Sequence, residues 1–439
     1  MRYLLTFLTL VLGSASASYV MVPLDSRPAT RLLPEYIAEL TGKEVEVAPR
    51  YLLGTGPRAA DLPALRAWVY ARIAEQGARP VEGLILSLDS LAYGGLVQSR
   101  NSELSAEQAE DNLEVIRDWK RLSGAPVYAS ITIPREPDAT NRERNLEVIR
   151  RMLQWKREGV FDELRVTWDD AKRGSPAPAE GAQIRREAPE GVLVYPGADE
   201  VLASLAARNL APGEKTLRVR YSDPSKKDDV VVYDGLPLEE SVGWHARANG
   251  FRVVGENERA DLTLMVYNGG DPRRSALEAS RLAAEGPLAI ADIRSVNTGN
   301  LPFWRDLVTL DVVGQLRGMG AWGTPGNNYG TALAQAKMSL DPGLVGLKHR
   351  EMIAYSYNND VIYSGMLRAR IRQEFKETEM GEPRVWKRLN ELVRQQLQLP
   401  QRGGEFYVNR AGLPWGRSFE GEFHLEFVPR EPGRVYPTI

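Results

Sequence analysis

The sequence predicts an α/β protein of repeated βα units. Its parallel sheets would form two doubly wound lobes or, alternatively, a (β/α)8-barrel core, followed by a small C-terminal helical and β-strand region. Three observations carry this reading. Short β-branched runs alternate with longer segments whose apolar residues recur at i, i+3 and i+4. The strand runs are apolar on successive residues, as in parallel sheets covered on both faces. The strand rhythm breaks at Ala211-Pro212-Gly213-Glu214-Lys215 and then restarts.

The first 17 residues read as a signal peptide. Arg2 precedes an apolar stretch from Tyr3 to Leu12, and Ala15-Ser16-Ala17 has the small-x-small pattern of a cleavage site. That stretch is shorter than the roughly 18 to 20 residues needed to span a bilayer. The expectation is a periplasmic or secreted protein with no membrane span after cleavage. Strands are then expected at residues 19–24, 45–49, 83–88, 126–133, 164–168 and 192–196, with helices at 31–42, 62–77, 105–124, 141–159, 182–188 and 198–213. A second series has strands at 217–223, 230–235, 251–255, 261–269 and 288–293 and a helix at 237–250. Residues 351–375 and 384–399 have helical spacing, and 404–431 alternates like antiparallel strands. The expected domains are 18–211, 212–340 and 341–439.

A chain that is 43% hydrophobic and 26% charged is an ordinary globular protein. A formal net charge of −2 gives no reason to expect nucleic acid as a partner. The expected ligand is a carbohydrate or a cell-envelope small molecule, and the oligomeric state is left open. With no cysteine there is no disulfide and no thiolate chemistry.

Ligands of α/β sheets bind at the carboxyl ends of the strands. Those ends carry Asp25, Ser26 and Arg27, then Asp89, Tyr93 and Arg100, then Arg135, and then the adjacent pair Asp169 and Asp170. Further along they carry Asp199, Glu200, Asn268, Asp271, Asp292, Arg294, Asn297, Trp322, Asn327 and Asn328. An Asp at such a position also fits a helix N-cap, and both Asp25 and Asp199 could serve that way. A double aspartate needs more: were the strand to continue through both, one would point into a core. The pair is therefore placed just past a strand end, facing a cleft.

His245, His349 and His424 all lie away from strand ends, and no G-x-S-x-G elbow occurs, so a serine triad does not fit. The Gly-rich run before Ala332 lacks the Lys-Ser/Thr ending of a phosphate loop, and the Gly pairs are too short for a dinucleotide fingerprint. No cofactor is expected. Zinc prefers His or Cys, so any metal would be a hard ion on carboxylates. Carboxylate chemistry remains, and glycoside hydrolysis uses two such groups, one protonated and one ionised.

The combination of "PLDSRP", "DSLAYGGLVQSR", the Asp-Asp loop, "GADE" and "LPWGRSFE" resembles an uncharacterised bacterial family, domain of unknown function 4127. Asp25, Arg27, Asp89, Tyr93, Gly94, Gly95, Arg100, Asp169, Asp170, Asp199 and Glu200 match its motifs, and the resemblance implies no activity. The Asp-Asp loop by itself is similar to that of substrate-assisted β-N-acetylhexosaminidases. This implies that Asp169 orients an acetamido group, Asp170 protonates the leaving oxygen, and Asn327 or Asn328 holds the sugar. The expected function is an exported, glycosidase-like hydrolase with Asp169 and Asp170 catalytic and Asp25, Arg27, Asp89, Tyr93, Arg100, Asp199, Glu200, Asn268, Asp292, Asn297, Trp322, Asn327 and Asn328 binding substrate. Two alternatives stand beside it. One is a divalent-metal hydrolase of phosphate or amide bonds, requiring Asp25, Asp89 and Asp170 to converge; the other is a non-catalytic sugar-binding or envelope protein.

Overall fold

The strands form two open parallel sheets and one small antiparallel sheet. The structure is a computed structural model describing residues 18–77, 79–135, 139–394, 400–401 and 404–429; the expected signal peptide, residues 1–17, lies outside the described residues. The first sheet contains β1 (Ser18–Val22), β2 (Glu44–Val47), β3 (Val81–Ser87), β4 (Val127–Ile133), β5 (Glu163–Trp168) and β6 (Leu193–Pro196) in the order β2-β1-β3-β4-β5-β6. The second contains β7 (Lys215–Tyr221), β8 (Phe251–Val253), β9 (Leu262–Tyr267), β10 (Leu288–Asp292) and β11 (Gly318–Gly320) in the order β11-β10-β9-β7-β8. Each sheet thus starts on an inner strand, pairs it with the next strand on one side, and then grows away on the other. Both lobes have the same winding, although no sequence repeat relates them. All strand pairs in both sheets are parallel.

Apolar runs become strands here because helices cover both faces. Every residue of β1, β9 and β10 is buried, and each sheet has a core cluster on either side. The helix Ala106–Ser123 starts where Ser105 and Gln108 make a reciprocal capping box and ends on Gly124 in the left-handed conformation. The C-terminal region comprises the helices Leu347–Tyr357, Arg368–Glu374 and Pro383–Arg394 and the antiparallel strands β12 (Pro400–Gln401), β13 (Gly404–Gly412) and β14 (Glu422–Pro429). No helix among the described residues is long and apolar enough to cross a membrane.

The helix Pro325–Ser339 joins the lobes. All its residues except Asn327 are buried. It packs on β10 and β11 of the second lobe and on the helix Val201–Leu210 of the first. Its Gly and Ala residues allow that close approach on every side.

The structure departs from the sequence reading at one expected strand, at one strand that was not expected, and at two possible helix caps. The β-branched run at 230–235 is not a strand. Val230 and Val232 are 64% and 60% exposed, and among the described residues the segment makes only isolated bridges, Ala171 to Tyr233 and Val230 to Pro237. Conversely, Gly318-Met319-Gly320 forms strand β11 despite poor β propensity. The glycines are needed because a Cβ at either position would overlap the backbone oxygen of Ala332 or Asn328 in the adjoining helix. Asp25 and Asp199 do not cap helices. The helix Val201–Leu210 starts without a side-chain cap bond, and both carboxylates are turned elsewhere. Asp271 does cap its helix, accepting from the Arg274 N–H at 2.8 Å.

Gly320→Ala should therefore destabilise the protein by about 1 to 3 kcal/mol through overpacking. Gly243→Ala, in a helix where a Cβ meets nothing within 4 Å, should stabilise it by about 0.5 to 1 kcal/mol. Chemical denaturation of the two variants measures both, and equal effects would refute the packing account of β11.

Candidate functional site

The carboxyl ends of β1, β5 and β6 converge on a cleft of about 610 Å³ that is closed by the 230–235 loop, the start of the helix Pro325–Ser339 and residues 415–419 of the C-terminal region. Its floor is organised by Arg27. The Arg27 Nε and Nη2 donate to Asp25 at 3.0 and 2.7 Å, while Nη1 and Nη2 donate to Asp199 at 3.1 and 2.7 Å. One planar guanidinium thus ties the end of β1 to the end of β6. Asp25 also accepts from the Thr30 hydroxyl at 2.6 Å. The Arg27 guanidinium lies 5.0 Å from the centre of the Trp415 ring, whose indole N–H donates to the Ser26 hydroxyl at 2.8 Å. Burial opposes the charge on Arg27, but Asp199 and Asp25 outweigh it and raise its pKa.

The aspartate pair sits one step past β5. Asp169 still belongs to the ladder, its N–H donating to the Ile133 carbonyl at 3.1 Å, and its carboxylate is held by Arg100. At Asp170 the backbone turns to φ 24°, and the carboxylate is held by Arg135. The chain then pairs with the second lobe, the Ala171 N–H donating to the Tyr233 carbonyl at 2.5 Å. Just before the pair, the Trp168 indole donates to the Asp234 carbonyl at 2.8 Å. Both lobes therefore grip the Asp-Asp turn.

Positive-φ backbone is concentrated around this cleft. Five non-glycine residues among those described have positive φ, and four of them, Asp170, Tyr233, Asn297 and Trp415, line the cavity. Such conformations cost of order 1 to 3 kcal/mol each and persist where surrounding structure imposes them, often at binding and catalytic sites.

The carboxylates differ in proton affinity. Burial, reinforced by Asp169, pushes Asp170 up to about 6 against the opposing pull of Arg135. Burial also raises Asp199, with Arg27 opposing. Glu420, buried behind Arg27, is pushed by burial up to about 7, and one of its oxygens has no hydrogen-bond partner among the described residues. Asp234 is raised to about 6 by burial; it accepts from the Ser241 hydroxyl at 2.7 Å and from the Tyr329 hydroxyl.

Of the residues singled out from sequence, Arg27, Arg100, Arg135, Asp169, Asp170, Asp199, Asn297 and Asn327 line the cavity. The others face away from it or lie beneath it. Asp25 supports Arg27 from below. Asp89 is fully buried, accepting from the Thr132 N–H at 3.1 Å, and burial raises it to about 7. Tyr93 is buried under the Arg144 guanidinium. Glu200 pairs with His245 Nε2 at 3.2 Å inside the lobe interface. Asn268 ties together the Ser222–Asp223 turn. Asp292 accepts from the Asn300 N–H at 2.6 Å and the Trp304 indole at 2.9 Å, fixing the loop after β10. Asn328 donates to the Asp292 carbonyl at 2.7 Å, and the buried Trp322 donates to the Thr331 hydroxyl at 3.3 Å.

Several lining residues were not anticipated: Lys172, Tyr233, Asp234, Arg372, Glu377, Trp415, Arg417 and Phe419. The one trace of them in the sequence is "LPWGRSFE", whose Trp and Arg stand among residues that are buried in the structure. Asp25, Asp89 and Asp170 do not share a ligand point, since each is turned to its own partner, and no group of three His, Cys, Asp or Glu side chains among the described residues is placed to hold a metal.

Arg27→Gln leaves Asp25 and Asp199 buried without their counter-charge. It should cost about 3 to 5 kcal/mol, the usual penalty for breaking a buried ion pair. Urea denaturation at neutral pH reads the loss, and a cost below 1 kcal/mol would show that Arg27 does not organise the floor.

No curated protein matches the chain. Four chains of solved structures do. One, described as an amidohydrolase with bound zinc from Burkholderia ambifaria, aligns over 73% of this chain and 78% of its own at 14% identity. Its TM-score of 0.23 carries no argument about fold or function. The family model described as "Protein of unknown function (DUF4127)" matches residues 19–143 and 139–424, almost all of the two lobes and the C-terminal hairpin. The chain belongs to the DUF4127 family.

Proposed function

We propose that this is an exported, carbohydrate-active hydrolase whose active site is the inter-lobe cleft, with Asp170 as proton donor to the leaving oxygen and Asp169 as its ionised partner. The observation that carries the reading is the strained Asp-Asp turn, in which two adjacent carboxylates are each held by a separate arginine in a cleft walled by Trp415, Tyr233 and Phe419. A glycosidase needs carboxylates with divergent proton affinities. Asp170, with 19% of its side chain exposed against 7% for Asp169, is the one that can reach a substrate atom. Arg100 fixes Asp169, which can then orient an acetamido or hydroxyl group or stabilise positive charge developing on the sugar. The signal-like residues 1–17 support export.

The test is turnover by the purified chain from Ser18 onward against chromogenic glycosides and isolated cell-wall glycans. Asp170→Asn should lower kcat by about 10² to 10⁴, the usual contribution of general acid catalysis. Turnover should persist in EDTA. Since Asp170 must be protonated, activity should fall as pH rises through about 6. Arg135 favours the ionised form of Asp170, so Arg135→Gln should move that alkaline limb upward by about 1 pH unit or more. A limb that stays in place, or Asp170→Asn with full turnover, would refute the assignment.

A further inference from the structure

The charges around the cleft are distributed by depth. On the floor every cavity-lining guanidinium has a carboxylate: Arg27 has Asp199, Arg100 has Asp169 and Arg135 has Asp170. The mouth is different. Lys172, Arg372 and Arg417 are exposed there, and Glu377 is the carboxylate that stands among them. Glu377 is already engaged by the Ser418 N–H at 2.8 Å and the Ser418 hydroxyl at 2.6 Å, with Arg372 Nε at 3.7 Å. Among the described residues neither Lys172 nor Arg417 makes a side-chain hydrogen bond or ion pair. Arg417 is kept in place instead by the Trp415 ring, its guanidinium 4.9 Å from the ring centre. Of the other carboxylates near Arg417, Asp25 is committed to Arg27 and Glu420 is buried behind it.

A positive mouth on a chain whose formal net charge is −2 is a local feature, and local charge of one sign at a cleft concentrates ligands of the opposite sign. A planar guanidinium held over an aromatic ring, with its donors open, is shaped for a bidentate oxyanion. From this we infer that the cleft takes an acidic sugar, with Arg417 and Lys172 receiving a carboxylate or sulfate group of the unit bound at the mouth. The inference rests on the hydrolase reading for the word sugar, and on Arg417 and Lys172 alone for the word acidic.

The experiment is binding of the purified chain, Ser18 onward, to an array of matched neutral, uronic and sulfated oligosaccharides. Asp170→Asn is run in parallel, so that binding is read without turnover. Wild type and Asp170→Asn should both bind acidic members at least about tenfold more tightly than their neutral counterparts, the difference expected of one charge-assisted bidentate contact. A preference for uronic or for sulfated members alone supports the assignment and identifies the group. The preference should vanish in Arg417→Gln/Lys172→Gln and be partly kept in Arg417→Lys, whose thermal unfolding checks that the mouth is intact. Equal binding of neutral and acidic members, silence across the array, or a preference that survives the double substitution overturns the inference. Acidic glycans bound but never cleaved would instead count against the hydrolase reading while leaving the acidic site standing.

Discussion

The site depends on one guanidinium. Arg27 brings together Asp25 from the end of β1, Asp199 from the end of β6 and the ring of Trp415 from the C-terminal region. These segments are remote in sequence, and each brings a polar group under cover. Without the Arg27 guanidinium, both aspartates would be buried charges without their counter-charge. Together they are held by a single planar fork whose geometry admits little variation. Glu420 lies buried behind the same arginine, so the floor is an interlocked charge cluster. Rigidity at this floor lets the neighbouring Asp-Asp turn keep an unfavourable backbone conformation.

A second constraint sets how the lobes meet. The buried helix Pro325–Ser339 is shared between them, and Arg165, fully buried in β5, donates to the Ala248 carbonyl at the end of a second-lobe helix at 2.7 Å. Close by, Glu200 and His245 pair across the interface, and Asp234 gathers the hydroxyls of Ser241 and Tyr329. Polar groups in such an interface must all find partners, which restricts the lobes to one relative placement. Ala171 and Tyr233 complete the seam at the edge of the cleft.

Much of this architecture is legible in the sequence, because apolar runs without alternation and segments with helical spacing report burial directly. The position of the Asp-Asp turn is legible for the same reason: two adjacent charges at the end of a buried strand have nowhere else to go. What sequence leaves open is the direction of a strand-end side chain. Asp292 stands at a strand end just as Asp199 does, yet it turns to the Asn300 N–H of its own loop, and Asn328, in the first turn of the helix Pro325–Ser339, turns to the Asp292 carbonyl, because a tight loop has its own donors and acceptors to satisfy. Trp415 and Arg417 belong to the quoted motif "LPWGRSFE", but nothing in it places them at the cleft. They reach the cleft only because the C-terminal hairpin folds back over the first lobe, and no local pattern encodes that return. Gly318 and Gly320 show the same limit, since their strand exists through close packing against a helix rather than through propensity.

The proposed reading combines a charged floor, an aspartate pair held by Arg100 and Arg135, and a cationic mouth, and it places a polar, extended ligand over Asp170. The most direct measurement is a crystal structure of Asp170→Asn soaked with an acidic oligosaccharide. The account predicts a glycosidic oxygen about 2.6 to 3.2 Å from the side chain at position 170, the reach of a general acid, with the sugar between Trp415 and Tyr233. A ligand bound outside the inter-lobe cleft, or one whose glycosidic oxygen faces away from position 170, would contradict it.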